Sequence, residues 1–327
     1  MRTTQIAGTS VTVSEVAFGG ASLGNLYRET SEADAAAAVA QAWRSGIRYF
    51  DTAPHYGLGL SERRLGAALA EYPREQLVIS TKVGRLIVPN ERPTDFDTEG
   101  FAVPGDLRRQ CDFSRDGVLR SVEASLKRLG TDFIDILYLH DPDVAEADGG
   151  EGAAGAAIEG AAALIELREQ GIVRAVGIGS NDASAVASLF ERSDIDLAML
   201  AGRYTLLEQR GADAVFEAAN GRSIVAVGVF NSGLLANDRP APDATYNYAP
   251  APAELLARAN QLADVCEAHG VTLPQAAIAF PLRNPGVAAI AVGVRNAEQV
   301  AHNLSLYEDS VPDALWDDLH AQGLLEE

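Results

Sequence analysis

Short apolar runs alternate with longer amphipathic segments along almost the whole chain. The runs are rich in Val, Ile and Leu and lack regular polar positions, which is typical of parallel strands buried on both faces. This pattern predicts strands at residues 16–19, 49–51, 78–82, 136–140, 175–179, 197–201, 224–229 and 289–292.

Amphipathic patterns with capping signals lie between these strands. Ser31 precedes a helical pattern that runs to Ser45, with acidic residues in its first turn. Ser114 precedes a second helical pattern, which Gly130 ends. Further helices are predicted to end near residue 170 and to span residues 183–192, 212–219, 252–269 and 273–283.

Eight strand–helix alternations predict an α/β fold, a (β/α)8 TIM barrel that forms one domain over residues 1–327. A doubly wound open sheet is the alternative, but the stretch FGGASLG after the first strand lacks the spacing of a dinucleotide-binding loop. Residues 84–113 form a long, irregular stretch, for which we expect an active-site lid or binding loop. Residues 143–157, rich in Gly, Ala and acid, are expected to be a mobile surface connection.

Composition excludes some classes of binding partner. The formal net charge of −20 disfavours nucleic acids and anionic membrane surfaces. The N-terminus lacks an apolar signal segment and no run is long enough to span a bilayer, so we expect a cytoplasmic protein. Cys111 and Cys266 are expected to be reduced thiols without metal-ligand spacing. A monomer is the default, because a barrel closes its own sheet.

Polar residues end three consecutive predicted strands. Asp51, Lys82 and His140 should converge at the C-terminal mouth of a barrel, and Tyr56 lies in the loop just after Asp51. Singly, each residue has an ordinary structural explanation, such as a helix cap or a solvated charge. Together they predict a site, since a buried Asp and a buried Lys also need each other.

The residue types at this mouth suggest proton transfer. Lys82, oriented by Asp51, is expected to lower the pKa of Tyr56, which then serves as general acid or base. His140 is expected to hydrogen-bond a substrate oxygen. These side chains offer no electron sink, so the chemistry needs a bound hydride carrier. A metal-dependent hydrolase is disfavoured, because the chain has no His-x-His pair.

Four segments, GIRYFDTAPHYG with the following SERRLG, STKVG, YLHDPD and GIVRAVGIGSN, resemble the signature segments of the aldo-keto reductases. The resemblance runs over almost the whole chain. It implies a (β/α)8 barrel with a nicotinamide cofactor at the C-terminal mouth. It also implies a catalytic tetrad of Asp51, Tyr56, Lys82 and His140, in which Tyr56 is the acid or base.

The same resemblance implies the cofactor contacts. Ser180 and Asn181 would hold the nicotinamide carboxamide, and Phe230 would stack on the ring, with core packing as its alternative. Many members carry a Gln under the nicotinamide ring, near the position of Ala201, so the contact to the ring at that position stays open. Arg295 is the only cation in the last segment, which leaves NAD versus NADP open. The further implied contacts are Ser232, Gly233, Leu234, Gly293, Arg295, Gln299 and Asn303.

The pair GRYTLLEQ and GVFNSGLLA resembles the aldose 1-dehydrogenase branch of this family. That implies oxidation of the anomeric hydroxyl of L-fucose, D-arabinose or L-galactose to a lactone. The alternatives are a general aldehyde or ketone reductase, a pyridoxal dehydrogenase, or a non-catalytic cofactor-binding sensor. Polar residues that could contact a small sugar or carbonyl substrate are Asn25, His55, Asp141 and Arg203.

Overall fold

The computed structural model describes residues 1–143, 152–246 and 249–326, and its centre is a closed barrel of eight parallel strands. The strands are β1 (Thr3–Gln5), β2 (Thr12–Ser14), β3 (Val16–Gly19), β4 (Tyr49–Asp51), β5 (Val78–Val83), β6 (Arg85–Thr94), β7 (Gly105–Cys111), β8 (Ile136–His140), β9 (Ala175–Ser180), β10 (Leu197–Ala201), β11 (Ser223–Val227), β12 (Thr245–Tyr246), β13 (Ala249–Pro250) and β14 (Val287–Gly293).

Helices surround the barrel. They are α1 (Glu32–Arg44), α2 (Leu60–Leu69), α3 (Arg115–Leu129), α4 (Gly152–Glu169), α5 (Ala183–Arg192), α6 (Ala212–Ala219), α7 (Ala253–Ala268), α8 (Leu273–Ala279), α9 (Ala297–Glu308) and α10 (Asp313–Ala321). Around the barrel the strand order is β3, β4, β5, β8, β9, β10, β11 and β14, and β14 pairs with β3. The predicted (β/α)8 barrel is therefore confirmed.

Capping chemistry explains where the helices begin and end. The Ser31 hydroxyl accepts a hydrogen bond from the backbone of Asp34, and Ser114 does the same for Gly117, so both predicted N-caps are confirmed. The helix predicted over residues 273–283 ends earlier, at Ala279, and a 3-10 turn follows from Pro281, whose ring nitrogen has no proton to donate. Among the described residues, no helix combines the length and apolar character needed to cross a bilayer.

Alternation along the strands separates two apolar layers. Phe50, Ile79 and Leu137 point outward and pack against the helices. Their neighbours in sequence point into the barrel, where the turn between β1 and β2 closes the lower end. The interior layer contains Ile6, Val11, Val13, Tyr49, Val78, Ile136, Tyr138, Leu197 and Met199. Residues two positions further along β4, β5 and β8 therefore also face inward, at the mouth.

The prediction of an irregular stretch over residues 84–113 is wrong. Most of it forms an antiparallel hairpin of β6 and β7, in which Arg85 pairs with Cys111 and Thr94 with Gly105. Much of this ribbon is exposed, and exposed side chains alternate with partly buried ones along β7, unlike the fully buried apolar runs of the barrel strands.

The expected connection at residues 143–157 is also shorter than predicted. Its residues 144–151 lie outside the described part of the chain. From Gly152 onward the chain is already in α4, because this stretch is rich in Ala, which favours helix.

Gly66 tests how tightly the helices pack. A Cβ at Gly66 in α2 would lie 2.0 Å from the Leu129 carbonyl oxygen at the end of α3. Helix propensity alone predicts that Gly66→Ala stabilises the protein by about 1 kcal/mol. We expect the clash to outweigh this, with a net loss of about 1–2 kcal/mol in the free energy of unfolding, measured by denaturant titration. Unchanged or increased stability would contradict this close approach of α2 and α3.

Candidate active site

Asp51 and Lys82 form a buried ion pair at the mouth of the barrel. Lys82 Nζ donates to Asp51 Oδ2 at 2.7 Å and to the Thr52 carbonyl oxygen at 3.0 Å. Burial by itself lowers the pKa of Lys82, but Asp51 and Tyr56 outweigh it and raise the pKa above its ordinary value. The ammonium group therefore stays protonated over the physiological pH range.

Tyr56 lies in the loop after β4, and its ring centroid is 4.8 Å from Lys82 Nζ. Burial raises the pKa of the Tyr56 phenol above its ordinary value, Lys82 opposes this rise, and Asp51 adds to it. The expected lowering by Lys82 is thus present but smaller than the effect of burial. In this state the phenol is protonated at neutral pH.

Two glycines bring the Tyr56 loop against the loop after β3. A Cβ on Gly57 would lie 2.2 Å from the Gly24 carbonyl oxygen, and a Cβ on Gly24 would lie 2.5 Å from the Tyr56 carbonyl carbon. Gly57 also has a left-handed φ of 62°. A side chain at either glycine would push the loops apart, so the crossing holds the backbone of Tyr56 in place.

His140 ends β8 and faces Tyr56, with the two rings 5.9 Å apart and nearly perpendicular. Burial lowers the pKa of His140 well below its ordinary value, and the positive charges of Arg85 and Lys82 add to this effect. The imidazole is therefore neutral. The four residues of the predicted tetrad thus lie together, as expected from the convergence of strand ends.

Buried hydroxyl groups beneath the ion pair were missed by the sequence reasoning. Ser80 donates a hydrogen bond to Asp51 Oδ1 at 2.6 Å. The hydroxyl oxygens of Tyr49 and Tyr138 lie 2.8 Å apart inside the barrel. Each of these residues stands two positions before Asp51, Lys82 or His140 in its strand. The period of two, which puts them on the same inward face, was the signal that could have found them.

The hairpin contributes charged residues to one wall of the mouth, also missed from the sequence. Arg109 donates to the His55 carbonyl oxygen at 2.7 Å and forms an ion pair with Asp97. Glu99 Oε2 lies 3.6 Å from His55 Nδ1, and the Phe101 ring meets the His55 ring edge to face at 5.2 Å. The segment predicted to be an active-site loop therefore does border the tetrad.

Two of the predicted substrate contacts lie beside the tetrad. The His55 ring is 5.3 Å from the His140 ring. Asp141 Oδ2 is 3.6 Å from His140 Nε2 and accepts a hydrogen bond from Arg85 at 2.7 Å. Both side chains are thus within reach of a molecule bound at His140.

The other two predicted contacts are engaged elsewhere. Asn25 accepts a hydrogen bond from Arg64 at 2.8 Å and donates one to the Ala102 carbonyl oxygen at 3.1 Å. Its amide therefore ties loops together. Arg203 lies 3.3 Å from Glu208 in an ion pair. In the described part of the structure these side chains pair with residues outside the tetrad, so their substrate role stays a prediction.

The predicted cofactor contacts lie on a continuous arc of the rim. They lie at or just after the ends of β9, β11 and β14, and β10 lies between β9 and β11 in the barrel. The tetrad lies at the ends of β4, β5 and β8 or in the loop after β4. Ser180 is buried and donates to Asp143 at 2.8 Å, while Asn181 is exposed. Phe230, Ser232, Gly233 and Leu234 follow β11. Gly293 ends β14, Arg295 lies between β14 and α9, and Gln299 and Asn303 lie in α9.

The loop after β11 fits a ligand better than the sequence suggested. Asn231, Ser232 and Gly233 have φ angles of 46°, 59° and 96°, a run of left-handed backbone. Asn231 is 4% exposed, and its Oδ1 has no hydrogen-bond partner among the described residues. A buried acceptor requires a donor, which the polar groups of a bound nicotinamide cofactor can supply. Asn231 thus joins the candidate contacts.

The guanidinium of Arg295 is engaged in hydrogen bonds within the protein. Its guanidinium donates to the Leu26 carbonyl oxygen at 2.7 Å, to the Arg28 carbonyl oxygen at 2.9 Å and to Thr30 Oγ1 at 2.6 Å. Its backbone nitrogen donates to Gln299 Oε1 at 2.8 Å. Burial lowers the pKa of Arg295, and the charge of the exposed Arg28 nearby adds to this effect. Arg295 is the one Lys or Arg of its own segment, as the sequence indicated, and Arg28 from the loop after β3 adds a second cation beside it.

Ser80→Ala tests the support beneath the ion pair. The change leaves Asp51 Oδ1 without its donor in a buried site, so we expect kcat to fall about 10-fold or more, because hydrogen bonds to charged groups contribute about 1.5–3 kcal/mol. The Michaelis constant of the cofactor should change little. Tyr138→Phe is the matched control, since it removes an equally buried hydroxyl that does not touch Asp51. Equal losses in both variants would contradict a specific role of Ser80.

Comparison with known proteins identifies the family of this chain. The model of the Aldo/keto reductase family matches residues 15–321. A D-threo-aldose 1-dehydrogenase from Pseudomonas sp is 45% identical over 96% of this chain and 95% of that protein. A pyridoxal 4-dehydrogenase from Microbacterium luteolum is 42% identical over 97% of this chain and 96% of that protein.

Solved structures show the same relationship. An aldo-keto reductase from Bacillus halodurans, solved in its holo form, superposes with a TM-score of 0.75 at 26% identity, covering 100% of this chain and 97% of that one. Because the family model, the relatives and the fold all agree, we conclude that this chain belongs to the aldo-keto reductase family and is an NAD(P)-dependent oxidoreductase.

Proposed function

We propose that this protein oxidises the anomeric hydroxyl of an aldose of the L-fucose, D-arabinose or L-galactose type to a lactone. The observation that carries the chemistry is the phenol of Tyr56 lying over the buried Lys82 ammonium, opposite a neutral His140. The substrate class is supported by the 45% identity to a D-threo-aldose 1-dehydrogenase.

Each residue of the tetrad has one task in this proposal. Tyr56 first loses its phenol proton to solvent, and the resulting phenolate, which Lys82 stabilises, takes the proton of the C1 hydroxyl. Asp51 keeps Lys82 charged and oriented. Neutral His140 donates a hydrogen bond to the same substrate oxygen and fixes its position.

A nicotinamide cofactor, when bound, accepts the hydride that leaves C1. We assign its ring to the region of Ser180, Asn181 and Phe230, and its phosphates to the loop of Ser232, Gly233 and Leu234. Gly293, Gln299 and Asn303 belong to the adenosine end of this assignment. The buried Oδ1 of Asn231, which has no partner among the residues that the structure describes, supports a ligand on this arc.

We infer that either NAD or NADP fits the adenosine end. Arg295 is engaged with the loop of residues 26–30, whereas Arg28 is exposed beside it. A 2′-phosphate would find its cation in Arg28 or in a rearranged Arg295.

Oxidation of pyridoxal is the second candidate. It is favoured by the 42% identity to a pyridoxal 4-dehydrogenase. The wall of Tyr56, His55 and Phe101, with ring centroids 5.2 to 6.1 Å apart, presents aromatic surfaces on which a pyridine ring could stack.

The proposed function is tested by following absorbance at 340 nm with each oxidised cofactor and a panel of L-fucose, D-arabinose, L-galactose, D-galactose and pyridoxal. We expect reduction of the cofactor with at least one aldose, because the tetrad and the relatives both favour it. The same assay separates NAD from NADP. If none of the sugars reduces either cofactor, and simple aldehydes consume the reduced cofactor, the protein is instead a general carbonyl reductase.

Tyr56→Phe tests the mechanism. Removing the phenol oxygen should lower kcat by about 10²–10⁴-fold, the usual contribution of general acid–base catalysis. Cofactor affinity, measured by fluorescence titration, should stay within a few-fold, because the phenol acts on the substrate oxygen. A variant that keeps near-normal turnover would rule out this role for Tyr56.

A further inference from the structure

Asp141 occupies an unusual position directly after the tetrad residue His140. Its φ of 44° is left-handed, a conformation that Asp adopts more readily than most residues. The backbone nitrogen donates to the Gly179 carbonyl oxygen at 2.8 Å, which fixes this turn. As a result the carboxylate turns toward the mouth, with Oδ2 3.6 Å from His140 Nε2.

Arg85 holds this carboxylate in place. It donates to Asp141 Oδ2 at 2.7 Å and, more weakly, to the His140 carbonyl oxygen at 3.4 Å. The side chain of Arg85 is only 10% exposed, whereas that of Asp141 is 24% exposed. Arg85 therefore acts as a positioning residue, and Asp141 presents an accessible acceptor.

We propose that Asp141 determines specificity by accepting a hydrogen bond from the substrate hydroxyl next to the reacting one, which is the C2 hydroxyl of an aldose. This proposal rests on the proposed function. An oxygen bound to His140 Nε2 lies about 3 Å from it. A hydroxyl on the adjacent carbon then comes within reach of Asp141 Oδ2.

The chemistry explains why an acid suits this position. A carboxylate is an acceptor only, so it pairs with a hydroxyl proton and not with the carbonyl oxygen of a simple aldehyde. A site built to bind a hydroxyl also disfavours the analogue that lacks it, because that analogue cannot form this hydrogen bond to the carboxylate. The site should therefore favour 2-hydroxylated aldoses over deoxy sugars and simple aldehydes.

The same carboxylate should make this selectivity depend on pH. Burial raises the pKa of Asp141 to about 6; Arg85 and Lys82 lower it, and Asp143 and Glu99 raise it. The neutral His140 and the phenol of Tyr56 also face it. Above pH 6 the ionised carboxylate is the stronger acceptor, so selectivity should fall as the pH drops through 6. The ratio of rates for two sugars cancels the titration of Tyr56, which acts on both.

The test compares D-arabinose with 2-deoxy-D-ribose, which lacks only the C2 hydroxyl. We expect the wild-type enzyme to prefer D-arabinose by about 10- to 100-fold in kcat/KM, the range for a hydrogen bond to a charged group. In Asp141→Asn and Asp141→Gly the preference should fall to about 3-fold or less, with the loss on D-arabinose. Gly tolerates the left-handed backbone, so Asp141→Gly removes the carboxylate without straining the turn.

Glu99→Gln is the matched control, because Glu99 carries a charge near Arg85 but lies on the hairpin side of the cluster. This variant should keep the wild-type preference. Equal loss on both sugars in the Asp141 variants would show that Asp141 only orients His140 and would overturn the proposal. So would a wild-type enzyme that oxidises both sugars alike. Failure to oxidise any aldose overturns the proposed function itself, and this assignment with it.

Discussion

The buried ion pair of Asp51 and Lys82 is the interaction on which the mouth of the barrel depends. Two charges removed from water are costly unless every polar atom finds a partner. Here Ser80 and Lys82 occupy the two oxygens of Asp51, and the Thr52 carbonyl accepts a second bond from Lys82. The pair can then hold a permanent positive charge beneath Tyr56, in a place where solvent screens it little.

The positive charge of Lys82 affects the protonation of both Tyr56 and His140. The same ammonium that opposes the high pKa of Tyr56 helps to keep His140 neutral. Burial and this charge together leave a phenol whose proton can be exchanged beside a neutral imidazole that can donate a hydrogen bond. The hairpin adds Arg85, whose charge acts on His140 in the same direction and whose ion pair positions Asp141.

Much of the fold and the centre of the site followed from the order of residues. Buried parallel strands give apolar runs, and all eight were located within two residues of their observed ends. The period of two along a strand, together with the convergence of strand ends, places Asp51, Lys82 and His140 at one mouth. The hairpin was misjudged, because most of this ribbon is exposed or partly buried and its many charged residues look like those of any surface loop.

The linear pattern thus indicated the barrel, the convergence of four polar residues at its mouth and the family, because these depend on local periodicity and on motifs that are contiguous in the chain. Only the folded chain decided that Asn25 is engaged with Arg64, that Arg295 is engaged with the loop of residues 26–30, and that Asp141 faces His140. These outcomes depend on which donors and acceptors meet across segments distant in sequence. Hydrogen bonds and ion pairs are short-range, so their partners are determined by three-dimensional packing and not by residue type.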